Sequence, residues 1–403
     1  MFPPLLAWNA AKAARGGFAA AFAAATALPA LLVAQGNVHR GGFIVRLGVD
    51  TLAVERYSRS ATSLVSEIVI RAPSARRVVY SAALDSRGQV RRLSLAMDPL
   101  VSGAAPPEPS RSTLRFRGDT ADVTLTLGGG TRTIRVAAQP GSMPLAAFSH
   151  ALVEQAILQA RRTGEDSVAF DWVGVGASKA YPAYVTRGRA GSVVVGFFDA
   201  PAVARIDKQG RILALDGRAS TAKVEVRRVN APDLERFARS FVAAETARGP
   251  MGQLSPRDTV RGQVGPARLM VDYGRPYRRG RVVFGQVVPW DRVWRTGANA
   301  ATQLSTDTPL IVGGQEIPAG TYSLWTVPSL GAATLIVNRQ TGQWGTEYDP
   351  NRDLLHVELS QERLPERVEQ FTISIEPAGD GGVLRMSWDT LSYVAPFTIA
   401  TSP

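Results

Sequence analysis

The run from Trp290 to Thr302 gathers side chains able to bind or react. Asp291, Arg292, Arg295, Thr296, Asn299 and Thr302 supply donors and acceptors there. Pro289 and Gly297 punctuate it, which predicts an exposed loop crossing between strands, the usual place for a site on a rigid scaffold. Trp290, Trp325 and Trp344 add flat apolar faces. Aromatic planes beside a guanidinium and a side-chain amide suit a sugar ring or an anion. The same groups have a purely architectural use. Arg295 and Asn299 can satisfy loop carbonyls, and Trp294 and Trp325 can fill a core. The candidate ligand site is Trp290, Asp291, Arg295, Asn299, Thr302, Trp325 and Trp344.

Other chemistries find less support. The histidines are His39, His150 and His356, and neither HxH nor HExxH occurs, so no local zinc or non-haem iron site is expected. The absence of cysteine removes disulfides, thiolate nucleophiles and Cys-ligated metals. No GxSxG elbow is present, and Ser178-Lys179 are adjacent, which does not bring amine and hydroxyl together on a strand or a helix. Gly174-Val-Gly176 lacks the turn of a nucleotide fingerprint. Glu347, Asp349 and Asp353 offer oxygen ligands for Ca²⁺ without the Asp-x-Asp-x-Asp-Gly pattern. No catalytic residue, metal or cofactor is therefore assigned.

Longer words surround the candidate loop. Tyr273-Gly-Arg-Pro276 and Gly280-Arg-Val-Val-Phe-Gly285 precede it, Arg295-Thr-Gly-Ala-Asn299 lies within it, and Pro318-Ala-Gly-Thr-Tyr-Ser-Leu-Trp325 follows. This stretch resembles the secreted bacterial proteins grouped as domain-of-unknown-function family 2911, over residues 255 to 400. The resemblance implies a domain and an exported location, and carries no activity. The family word at the loop is GANEAT, whereas this chain reads Gly297-Ala-Asn-Ala-Ala-Thr302. Alanine at position 300 removes a carboxylate that other members could use as acid, metal ligand or ion-pair partner.

The elements that must position these residues are mostly strands. Period-two alternation runs from Phe43 to Val136, as in Phe43/Val45/Leu47 and Val123/Leu125/Leu127. Turn chemistry falls between the strands, at Asp85-Ser-Arg-Gly88 and Gly128-Gly-Gly130. Residues 103–109 are rich in proline and must be a loop. Leu145, Phe148, Leu152 and Ala156 recur at helical spacing, predicting a helix over 145–161; a second is predicted over 232–246 through Leu234, Phe237 and Phe241. The Gly/Pro-rich stretch 247–255 reads as a linker. Beyond it, short runs at 268–272, 282–287, 310–312, 321–327, 334–337, 353–359, 368–375 and 382–388 read as strands. The predicted fold is mainly β: over 35–246, a curved antiparallel sheet or incomplete barrel with two helices, and over 256–403, a β-sandwich of jelly-roll or immunoglobulin-like type.

Residues 1–34 read as a signal peptide. Lys12 and Arg15 form the n-region, the apolar run Phe18 to Val33 contains Pro29, and cleavage is expected after Ala34. The run is shorter than the ~20 residues a transmembrane helix needs, so the mature chain is expected to lack a span. The net charge of +12 is carried by the first half, because residues 251–403 hold 14 Arg against 15 Asp and Glu. Arginine outnumbers lysine 42 to 4 and is scattered along the strands. That pattern fits solvated surface or attraction to an anionic envelope component, and no nucleic-acid motif accompanies it. These features predict an exported, non-catalytic binding module for a glycan-like or anionic ligand. Two alternatives stand beside it: an envelope hydrolase with its site near Arg295 and Asn299, and a lipid carrier using the first domain.

Overall fold

The computed structural model describes residues 38–176, 179–189, 191–197 and 201–400; the expected signal peptide and Ser178 lie outside them. Strands β1 to β8 occupy His39–Leu47, Asp50–Arg59, Ser63–Ile70, Arg76–Leu84, Val90–Pro99, Arg111–Arg117, Thr120–Leu127 and Gly130–Ala137. After β9 (Met143–Leu145) comes helix α1 (His150–Arg161), then β10 to β15 at Ser167–Gly174, Ala180–Arg187, Ser192–Phe197, Ala202–Ile206, Ile212–Asp216 and Glu225–Val229. Helix α2 (Leu234–Arg248) leads into β16 (Arg257–Val264), β17 (Ala267–Gly274), β18 (Thr302–Thr306), β19 (Leu310–Val312) and β20 (Gln315–Ile317). The last strands are β21 (Gly320–Ser329), β22 (Ala332–Asn338), β23 (Asp353–Ala378) and β24 (Gly381–Ile399).

The first fifteen strands form one sheet, ordered β8 through β1 and then β15 back to β9. Its neighbours are antiparallel except β9 and β10, and its edge strands β8 and β9 do not pair, so the sheet is not closed into a barrel. The alternation expected from sequence sorts side chains onto two faces. Phe43, Val45 and Leu47 share a core with Leu152, Ala156 and Ile157 of α1. Val54 and Val69 project to the opposite face, against Leu234, Ala238 and Phe241 of α2.

Both helices begin later than periodicity suggests. Leu145 closes β9, Phe148 has φ +60°, and α1 starts only after Ser149, whose side chain accepts from Leu152 N–H. Asp233 caps α2 in the same way through Arg236 N–H.

The remaining nine strands form a second sheet, ordered β16-β17-β18-β21-β22-β23-β24-β19-β20, around a separate core containing Tyr273, Phe371 and Trp388. Strand β23 pairs first with β22 and then with β24, which joins the two halves of the sheet. The sheet folds over far enough that Gly262 on β16 lies against Ile375 on β23. The strand expected at 282–287 is instead a tight turn: Gly285 has φ +90°, and its N–H donates to Val288 O at 2.8 Å.

The sheets meet where the β1–β2 turn docks on the segment after β17. Val49 N–H donates to Arg279 O at 3.1 Å, and Arg279 pairs with Asp50 at 2.8 Å. Gly48 permits this approach, since its φ is +60° and a Cβ there would lie 2.0 Å from Arg279 O. The linker is held as well, with Gly252 N–H donating to Pro73 O at 2.8 Å. Among the described residues no helix is long and apolar enough to cross a membrane.

Candidate functional site

Between the two sheets lies a cavity of about 930 Å³. Four segments bring chemistry to it: the start of β4 with Arg76, the β14–β15 loop with Lys223, the turn at Arg281, and the β17–β18 loop with Arg295. Phe148, Trp294, Trp325, Trp344 and Trp388 supply apolar walls. Size and lining match a small-molecule site, mostly apolar with a few directed polar groups.

The β17–β18 loop is held by hydrogen bonds within itself and to neighbouring segments. Trp294 exchanges two backbone bonds with Thr326 at 2.7 and 2.8 Å, and its indole N–H donates to Gly297 O at 3.1 Å. Thr302 is fully buried and donates from Oγ1 to Thr296 O at 2.7 Å. Asn299 has φ +67°; its side-chain amide donates to Ser255 O at 3.2 Å, and its carbonyl accepts from Gly345 N–H at 2.9 Å. Gly345 makes room for Arg295, because a Cβ there would lie 2.1 Å from the arginine Cδ.

The charge of the cavity is lopsided. Arg76, Lys223, Arg257, Arg281 and Arg295 line it, against Glu108 as the acidic lining residue. Arg257 is neutralised by Asp272 at 2.9 Å, and Glu108 accepts from Gly128 N–H at 3.1 Å. Arg281 donates from Nε to Arg278 O at 2.9 Å. Arg76 and Arg295 each bury an Nε with no partner among the described residues. Burial lowers both guanidinium pKa values to about 10, and burial with the nearby Arg279 does the same for Arg281. The Lys223 amine falls from 10.5 to about 8, through burial and then the charges of Arg295 and Arg281. The cavity wall thus carries more cationic than anionic side chains, and on Lys223 neighbouring positive charge, from Arg295 and Arg281, adds to burial.

The residues singled out by sequence separate into three groups. Arg295, Asn299, Trp325 and Trp344 come together on the cavity wall. Thr302 lies behind that wall in an internal hydrogen bond. Trp290 stacks on Phe284 at 5.7 Å, and Asp291 accepts from Ser329 Oγ at 2.6 Å in an exposed turn; neither lines the cavity. Sequence reading missed Arg76, Lys223 and Arg281. Lys223 carried a faint signal, being one of four lysines in a chain that otherwise uses arginine. The oxygen-rich loop at 347–353 is consumed locally: Asp349 caps the turn Pro350–Arg352, and Asp353 accepts from Tyr348 O–H at 2.6 Å. Among the described residues no group of His, Cys, Asp and Glu could hold a metal ion.

Comparison with known families falls on the second sheet and its half of the cavity. Residues 255–397 match the family described as Protein of unknown function (DUF2911). The DUF2911 region contains Arg281, Arg295, Asn299, Trp325 and Trp344, while Arg76 and Lys223 lie outside it. No curated protein matches the chain. Among solved structures, a DUF1089 family protein from Pseudomonas aeruginosa is similar at 15% identity and a TM-score of 0.32, covering 41% of this chain and 90% of that one. A beta-barrel-like protein of domain of unknown function DUF1849 from Brucella abortus is similar at 11% identity and a TM-score of 0.28, covering 48% and 95%.

Proposed function

We propose that this chain is an exported binding protein that holds an anionic ligand with an apolar body between its two sheets. The observation that carries this reading is Arg295, whose guanidinium lies on an aromatic-walled cavity with no carboxylate or carbonyl partner among the described residues. A carboxylate or phosphate bound there would make charge-assisted hydrogen bonds, and the tryptophans would shelter its apolar part. A lining of cations rather than paired carboxylates favours binding over glycoside hydrolysis.

Tryptophan fluorescence tests it, since Trp294, Trp325, Trp344 and Trp388 line the cavity. Dodecanoate should shift the emission and dodecyltrimethylammonium should not. Arg295→Gln should weaken dodecanoate binding roughly 10- to 100-fold, the value of one hydrogen bond to a charged group. Equal binding of the two amphiphiles, or an unchanged affinity in the variant, would reject the proposal. Saturation by glucuronate with no response to dodecanoate would also reject the apolar body and point to a glycan. Export has its own check: the mature chain should begin at Gln35 or within a few residues of it.

A further inference from the structure

The anion-seeking cavity also holds a primary amine. Lys223 lies in the β14–β15 loop, lines the cavity, and has no hydrogen bond or ion pair with any described residue. The other described lysines sit elsewhere: Lys179 lies over the Tyr181 ring at 5.5 Å, and Lys208 is exposed in the β13–β14 turn. The charged residues lining the cavity with Lys223 are Arg281 and Arg295 from the second sheet, Arg76 from β4, Arg257 from β16, and Glu108 from the β5–β6 loop. An amine placed among guanidiniums in an apolar pocket is the arrangement that makes a lysine nucleophilic.

We propose that Lys223 Nζ is a nucleophile toward the carbonyl carbon of an anionic aldehyde or 2-oxo acid, which it holds as a covalent imine. This deepens the anion-binding reading above and rests on it. The uncharged amine attacks the carbonyl carbon, a C–N bond forms, and the C=O π pair moves onto oxygen. That oxygen takes the proton nitrogen gives up. The resulting carbinolamine loses its hydroxyl together with the remaining nitrogen proton as one water, leaving C=N. Arg295 and Arg281 serve the step twice. They attract the carboxylate or phosphate of the incoming carbonyl compound, and burial, reinforced by their charge, holds the Lys223 pKa at about 8. At neutral pH an amine of that pKa carries on the order of 100-fold more of the reactive form than a solvated lysine.

The test uses pyridoxal 5′-phosphate, an aldehyde with a phosphate, as reagent on the full chain, followed by borohydride reduction and peptide mapping. Label is expected on Lys223 in excess over Lys179 and Lys208 by roughly 10-fold or more, with a rate that rises with pH toward 8. Lys223→Arg keeps the positive charge and should abolish that label. Pyridoxine 5′-phosphate, which has an alcohol in place of the aldehyde, reads anion binding without imine formation, and should protect Lys223 and still bind the variant. If it binds but Lys223 is labelled no faster than Lys179 and Lys208, the nucleophile proposal falls and the anion reading survives. If neither phosphate binds, the nucleophile proposal falls, and the anion reading falls with it only where dodecanoate also fails to bind.

Discussion

Glu154 of α1 accepts a hydrogen bond from the backbone N–H of Ile212 on β14 at 2.8 Å, so the buried helix is tied to the sheet that curves around it. The same carboxylate receives Tyr57 O–H at 2.7 Å and Arg59 at 2.6 Å, and pairs with Arg228. Glu154 is fully buried, and the two guanidiniums are largely so. Glu154→Ala would leave two cations without a counter-charge, and should cost about 3–5 kcal/mol in urea denaturation. Glu362→Ala, which removes an ion pair that is half exposed, should cost no more than about 1 kcal/mol. Equal costs would show that the α1 network does not hold the first sheet together.

Glu55 makes stability depend on pH. It is buried on β2 and accepts from Ser149 Oγ at 2.8 Å, Ser66 Oγ at 2.8 Å, His150 N–H at 2.7 Å and Ala151 N–H at 3.0 Å. Burial outweighs these bonds and raises its pKa from 4.5 to about 6. The folded state therefore binds the proton more tightly than the unfolded chain. The resulting stability is fully present below pH 4.5 and is lost as pH rises through 6. Measured against Glu55→Gln, the wild-type chain should gain roughly 2 kcal/mol between pH 7 and 4.5. A difference that stays constant over that range would contradict the assignment.

Asn299 serves the scaffold while it lines the cavity. Asn299→Ala loses the bond to Ser255 O and puts alanine, which tolerates the left-handed region less well than asparagine, at φ +67°, so a loss of about 1–3 kcal/mol is expected. Asn299→Gly loses the same bond without the steric penalty, and should be roughly 1 kcal/mol more stable than the alanine variant. Melting curves of the two, side by side, separate hydrogen bond from backbone strain. Identical midpoints would remove the strain component.

Lys223 has the opposite pH signature. Its folded-state pKa is lowered from 10.5 to about 8, so the unfolded chain keeps the proton longer as pH rises. The stability it contributes is complete above 10.5 and is lost as pH falls through 8. Between pH 7 and 10 the wild-type chain should gain thermal stability relative to Lys223→Gln, and dodecanoate should flatten the gain by pairing the charge at neutral pH. Parallel pH profiles for wild type and variant would show that Lys223 is not held at a depressed pKa.

Much of the fold follows from local pattern. Alternation at Phe43/Val45/Leu47 determines which side chains reach the core, because successive strand residues point to opposite faces. Proline-rich 103–109 lies outside the strands because it cannot donate to a ladder, and Leu152, Ala156 and Ile157 give α1 its buried face. The ends of elements were harder to place: Phe148 fits the helical spacing, yet its φ of +60° belongs to the turn before the Ser149 cap.

By itself the sequence determined the mostly β character, the two helices and the DUF2911 region, all of which depend on neighbours in the chain. Only the tertiary structure decided what Arg295 faces. Arg76, Lys223 and Arg281 are remote from it in sequence and carry no shared motif, and they line one cavity because the β1–β2 turn docks on Arg279 and the linker is held at Pro73. Sequence lists charges without their partners. Arg257 and Arg295 look equivalent along the chain, but Asp272 neutralises the first and no described carboxylate reaches the second, a difference set by long-range packing.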